Sequence, residues 1–173
     1  MTKNILAVVF LAVAFASCSN DDDSTPTDPV QTETVSNLYA PQTGGQGQPE
    51  GGEFAKFDFE TGAVTTSDTD WDIAFRGTTI AVNGGTVTGT EDEPERNGDA
   101  GVAIVTGTLA SVTTADGLTF NQDTDASFAI PTGSDNGWYN YAGDPTHLIT
   151  PIPGKVFVFR TTAGNYAKVE ILS

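Results

Sequence analysis

Four side chains lie close together near the end of the chain and carry its richest chemistry. They are Trp138, Tyr139, Tyr141 and His147, in the stretch GWYNYAGDPTHLIT from 137 to 150. His147 is the sole imidazole. Imidazole is a good ligand for a metal ion such as iron, and a tyrosine phenolate is another. A mixed His/Tyr site or a five-coordinate His site is therefore chemically allowed. The aromatic rings can also stack on a flat ligand. Plainer roles fit the same residues: a loop histidine with a structural hydrogen bond, and core or rim aromatics.

Other groups point to less. Asp68, Asp70 and Asp72 alternate as calcium-loop carboxylates do, but Ile73 and Thr79 stand where an EF-hand needs its Gly and Glu. A strand with outward carboxylates is the expected arrangement. Arg76 and Arg160 are expected to pair with acids at a sheet surface, or to meet the carboxylates of a ligand. No G-x-S-x-G elbow, H-E-x-x-H or P-loop is present, so the chain is read as a non-enzyme. Paired carboxylates of a glycosidase are the one hydrolytic arrangement left open.

The chain has 173 residues, with 7 Lys+Arg against 23 Asp+Glu and a formal charge of -16. Nucleic acid is excluded as a partner, because phosphates need a basic footprint. An electrostatic membrane-binding surface is excluded on the same ground. The single cysteine, Cys18, permits no internal disulfide and no Cys-based metal site.

Residues 1–17 (MTKNILAVVFLAVAFAS) have a basic start at Lys3 and a short apolar run, then small residues before Cys18. This is the layout of a signal peptide rather than a spanning helix. It resembles a bacterial lipobox, in which Cys18 would be lipidated and become the mature N-terminus. Acyl chains contribute about 0.8 kcal/mol per buried CH₂, so a multiply acylated Cys18 would hold a domain on a membrane. Ser19-Asn20-Asp21-Asp22-Asp23 resembles the surface-export signal of Bacteroidetes lipoproteins. Residues 18–36 are polar and Pro-containing and read as a disordered acidic tether.

From residue 37 to 173 the sequence reads as one all-β domain of antiparallel, sandwich-like sheets with few or no helices. Asn37 to Gly52 reads as a loop with a packed arm or short strand at Leu38–Ala40. Phe54 to Phe59 and Ala63 to Thr66 form a hairpin. Trp71, Ile73 and Phe75 are expected on one face of a strand, with Asp70, Asp72, Ala74 and Arg76 on the other, and Thr78 to Val82 continuing it. Gly89 to Gly101 is acidic and turn-rich, hence an exposed loop. Val102 to Leu109 is a further strand. The run Val156-Phe157-Val158-Phe159 suits a strand buried on both faces. Thr162-Ala163-Gly164-Asn165 turns it into a return strand whose Ala167, Val169 and Ile171 share a face. A central strand made last requires partners made earlier.

Three segments resemble the HmuY family of haem-binding Bacteroidetes lipoproteins. They are Trp71-Asp72-Ile73-Ala74-Phe75-Arg76 with Asn83-Gly84-Gly85, then Gly137-Trp138-Tyr139-Asn140-Tyr141, then Pro153 to Thr161 with Gly164, Tyr166-Ala167-Lys168 and Ile171-Leu172. The resemblance implies a surface-exposed, lipid-anchored outer-membrane protein. It would bind haem or a related tetrapyrrole and pass it to a TonB-dependent outer-membrane receptor. It makes His147 the candidate iron ligand, with Trp138, Tyr139 and Tyr141 as candidate haem contacts. Characterised members hold iron between two His or two Met. This chain has one His, and its one Met is Met1. A same-fold module that has lost haem and recognises a glycan, a protein or another ligand is the alternative.

Overall fold

The computed structural model describes residues 30–45 and 47–173. The expected signal peptide, Cys18 and most of the expected tether lie outside the described residues. Residues 30–42 have no regular secondary structure.

The stretch read as a loop before Gly52 contains a small hairpin, β1 (Thr43–Gly45) and β2 (Gln48–Gly51). Leu38 acts as the packed arm and lies against the main core. The hairpin expected next is present as β3 (Ala55–Asp58) and β4 (Ala63–Thr65). Then come β5 (Ile73–Arg76) and β6 (Thr79–Val82). These two are antiparallel partners, not one continuing strand. Gly77 reverses the chain between them at φ 53, a conformation that costs glycine little.

The second half supplies β7 (Gly101–Thr106), a 3₁₀ turn at Leu109–Ser111, β8 (Tyr139–Tyr141), β9 (Ile149–Pro151), β10 (Lys155–Arg160) and β11 (Tyr166–Val169). No α-helix occurs among the described residues. None of their helices is long and apolar enough to cross a membrane.

Two sheets enclose the core, one in the order β4-β3-β5-β6 and one in the order β11-β10-β7. Phe57, Ile73, Ile80 and Val82 of the first meet Val102, Phe157 and Phe159 of the second, with Ile130 between. This is the expected sandwich. β10 is central, and its four apolar residues are all buried. Phe157 and Phe159 face the shared core. Val156 and Val158 take the other side, which the segment after β7 covers. Lys168, paired with Val158, donates to the carbonyls of Leu109 and Val112 at 2.8 Å each. Phe120 packs on Tyr166 of the same side. The turn after β10 closes with Gly164 at φ 85.

Three expectations are corrected. Trp71 does not share a face with Ile73. The chain bends at Asp72, so β-alternation begins only at Ile73, and Trp71 joins a second core with Phe54, Ala74 and Ala81 on the opposite face. Asp72 is not outward but 1% exposed. Its carboxylate accepts from the Phe59 N–H at 2.9 Å and from the Thr162 N–H and hydroxyl at 2.7 and 3.0 Å. Arg76 is buried without an acidic partner. It donates to the carbonyls of Gly52 and Glu91, and its guanidinium lies 4.3 Å from the Phe54 ring centroid. Arg160 does pair with an acid, Asp99, at 3.0 Å.

Candidate functional site

The four candidate side chains lie on and around the β8–β9 hairpin, in which Tyr139 pairs with Pro151 and Tyr141 with Ile149. Residues 139 and 141 share one face of the ribbon, by the period of two along a strand. Their environments differ. Trp138 packs against the main core, and its indole N–H donates to the Thr78 carbonyl at 2.8 Å. The Thr78 hydroxyl donates to Tyr139 Oη at 3.3 Å. The two rings meet edge to face with centroids 5.0 Å apart. Trp138 and Tyr139 therefore tie the hairpin to the β5–β6 turn, and their polar atoms are committed there.

Tyr141 and His147 occupy the outer end. The hairpin loop is closed by Ala142 N–H on the Leu148 carbonyl at 2.9 Å and His147 N–H on the Gly143 carbonyl at 2.7 Å. His147 sits at φ 51, a backbone region that non-glycine residues use sparingly and that concentrates at functional sites. Tyr141 Oη contacts His147 Nδ1, and the rings are 5.9 Å apart. That contact occupies Nδ1 and leaves Nε2 as the ring atom able to bind a metal. Asp144 Oδ1 lies 3.9 Å from Nε2. The side chain of His147 is 63% exposed. Tyr141, Leu148 and Ile149 are exposed around it.

The residues present fit one axial bond to a haem iron and not two. Tyr141 meets the imidazole on the side away from Nε2, so it orients His147 and does not oppose it across a metal. Among the described residues, no group of three or more His, Cys, Asp or Glu is placed to hold a metal ion. The arginines do not serve a ligand's carboxylates here. Arg76 is spent on backbone carbonyls and Arg160 on Asp99.

An open cleft of about 490 Å³ lies elsewhere, lined by Thr88, Thr90, Ser127, Phe128, Pro131 and Thr132. None of the four candidates lines it.

Behind that cleft is a charged cluster with no signature in the sequence. The segment from Gly89 to Gly101 is not wholly exposed, because it carries Glu93 and Arg96 inward. Their side chains are almost completely buried, as is that of Asp123. Arg96 bridges both carboxylates, reaching Asp123 Oδ2 through Nη2 at 2.8 Å and Nε at 3.1 Å. Burial pushes the Glu93 carboxyl up, but the Thr88 N–H and hydroxyl, the Arg96 charge and the Thr90 N–H outweigh it and hold it below its ordinary value. At Asp123 burial prevails over the Ala129 N–H, the Arg96 charge and the Val82 N–H, and its carboxyl is pushed up. Asn83, also fully buried, fastens the same segment. It donates to the carbonyls of Thr69 and Trp71 and accepts from the N–H groups of Asn97 and Gly98. The only hint in the sequence was an arginine inside an acidic run, since nothing in spacing links position 96 to position 123.

The family described as HmuY protein matches residues 52–173. No curated protein and no solved structure matches the chain.

Proposed function

The chain belongs to the HmuY family, and from that premise we propose that it is a surface lipoprotein that binds haem, or a related tetrapyrrole, at the outer end of the β8–β9 hairpin. Haem is cargo in this reading, taken up for iron acquisition and passed to a TonB-dependent outer-membrane receptor. Lipidation at Cys18 and attachment to the outer membrane belong to the same proposal, as does a binding rather than catalytic role.

The observation that carries it is the Tyr141–His147 contact. It engages the only imidazole at Nδ1 and leaves Nε2 for a metal, beside exposed Tyr141, Leu148 and Ile149 that would lie against a flat apolar ligand. His147 would hold iron through Nε2 as the single protein ligand. The chain's charge of -16 gives no long-range help to a dianionic ligand, so apolar contact must supply the affinity.

Titration of the purified protein with haemin tests this. A saturable Soret change that His147→Ala abolishes is expected. A change untouched by His147→Ala would reject ligation by this residue.

One observation favours a second reading, a family member that recognises another ligand on the same surface. His147 is the only His in the chain, and Tyr141 meets it at Nδ1 rather than across a metal from Nε2. No Soret change on titration, with Tyr141→Ala weakening capture of a glycan or receptor, would select that reading.

A further inference from the structure

The chain contains three Asn-Gly pairs, at 83–84, 97–98 and 136–137. An Asn-Gly peptide can cyclise when the glycine nitrogen attacks the asparagine side-chain carbonyl, because glycine has no Cβ to hinder the approach. The three pairs sit in very different surroundings.

Asn83 is fully buried, and its amide is held by four hydrogen bonds. At Asn97–Gly98 the would-be nucleophile is engaged, since the Gly98 N–H donates to Asn83 Oδ1 at 3.0 Å. Asn97 Nδ2 is also tied, to the Asp68 carbonyl at 3.0 Å. Asn136 is exposed and Gly137 buried, in the turn that leads into Trp138. Asn136 Nδ2 donates to the Thr132 carbonyl at 3.2 Å, so what sets this pair apart from Asn97–Gly98 is the glycine nitrogen and its peptide carbonyl. Among the described residues the Gly137 N–H meets no acceptor. Lys155 Nζ donates to the Asn136 carbonyl at 3.1 Å and to the Gly137 carbonyl at 2.6 Å. The Asn136 carbonyl belongs to the same peptide unit as the Gly137 nitrogen. A cation on that oxygen stabilises the amide anion that must form before attack.

We propose that Asn136–Gly137 is a site of self-catalysed succinimide formation, with Lys155 as the residue that activates it. When the turn opens locally, the Gly137 nitrogen loses its proton to hydroxide and bonds to Asn136 Cγ. The Cγ–Nδ2 bond breaks, and Nδ2 leaves as ammonia after taking a proton. Water then opens the ring. Attack at Cγ gives aspartate, and attack at the backbone carbonyl gives isoaspartate, with one extra methylene in the main chain. No oxidant or reductant is involved. The product puts a new carboxylate beside Lys155 and, in the iso form, lengthens the chain just before Trp138 and Tyr139. It would therefore age the turn whose Asp135 N–H is bonded to the Tyr139 carbonyl at 3.0 Å.

The test is incubation of the folded protein at mildly alkaline pH, with peptide mass mapping of all three pairs and enzymatic isoaspartyl labelling. Asn136 is expected to convert well ahead of Asn97 and Asn83. Lys155→Met should slow Asn136 about tenfold, the rate equivalent of one charge-assisted hydrogen bond, while Lys155→Arg retains most of the rate. Equal conversion at Asn97 and Asn136 in the wild type would overturn the proposal. So would an unchanged Asn136 rate in folded Lys155→Met. If Lys155→Met does not fold, the wild-type ranking and Lys155→Arg still decide.

Discussion

Asp72 and Thr162 stand 90 positions apart, yet one carboxylate oxygen of Asp72 accepts both the backbone N–H and the hydroxyl of Thr162. The other oxygen accepts the Phe59 N–H. One buried side chain thus joins the entry to β5, the end of β3 and the turn between β10 and β11, and so links the two sheets of the sandwich. Asp72→Ala would leave two backbone donors without their acceptor, at a cost of roughly 2–4 kcal/mol. Asp72→Asn, which keeps one acceptor oxygen, should lose less. Denaturant unfolding of both variants measures this, and a loss for Asp72→Ala within error of zero would contradict the linkage.

Glu93 makes stability depend on pH. Its folded carboxyl titrates below the ordinary value of 4.5. Its contribution is therefore present above that value and is lost as pH falls through the lower folded value. Asp123 has the opposite sign. Its folded carboxyl is raised above 3.8, so its effect favours the fold at low pH and is lost as pH rises through the folded value. Thermal midpoints recorded against pH should show a shallower acid-side fall in Glu93→Gln than in the wild type. Parallel profiles would show that Glu93 is not the titrating group.

The Tyr141 hydroxyl sets the orientation of His147 through Nδ1. If His147 binds iron, Tyr141→Phe should lower haemin affinity about tenfold, as loss of an outer hydrogen bond does at other metal-binding histidines. The Soret position should also shift, because the ring is no longer held. Full affinity with an unchanged spectrum would show that the contact has no bearing on binding.

Gly84 lies where the chain leaves β6, and a Cβ built there would come 2.0 Å from the Ala100 carbonyl oxygen. Both are backbone positions, so neither can move aside cheaply. Gly84→Ala should destabilise by about 1–3 kcal/mol through overpacking. The midpoint of urea unfolding should fall with an unchanged slope, and a midpoint equal to the wild type would refute the close approach.

Much of the architecture was readable from local pattern. The run Val156 to Phe159, with its β-branched and aromatic residues, marked a strand buried on both faces. The Gly164 turn and the alternation after it marked the return strand. Both are present, and β10 is central. The Phe57 hairpin was equally legible. Reading failed where direction changes over one or two residues. The bend at Asp72 moved Trp71 to the other face, and Gly77 folded β6 back on β5.

The sequence by itself determined the class of fold and the stock of possible ligands, because periodicity is local and a chain with one histidine cannot form a His pair. Only the tertiary structure decided what each polar residue does. It placed Asp72 inside rather than out, set Arg96 between Glu93 and Asp123, committed Trp138 and Tyr139 to Thr78, and brought Tyr141 onto the imidazole. The physical reason is that burial of a charge or hydroxyl depends on partners that arrive from far along the chain, and no local spacing encodes them.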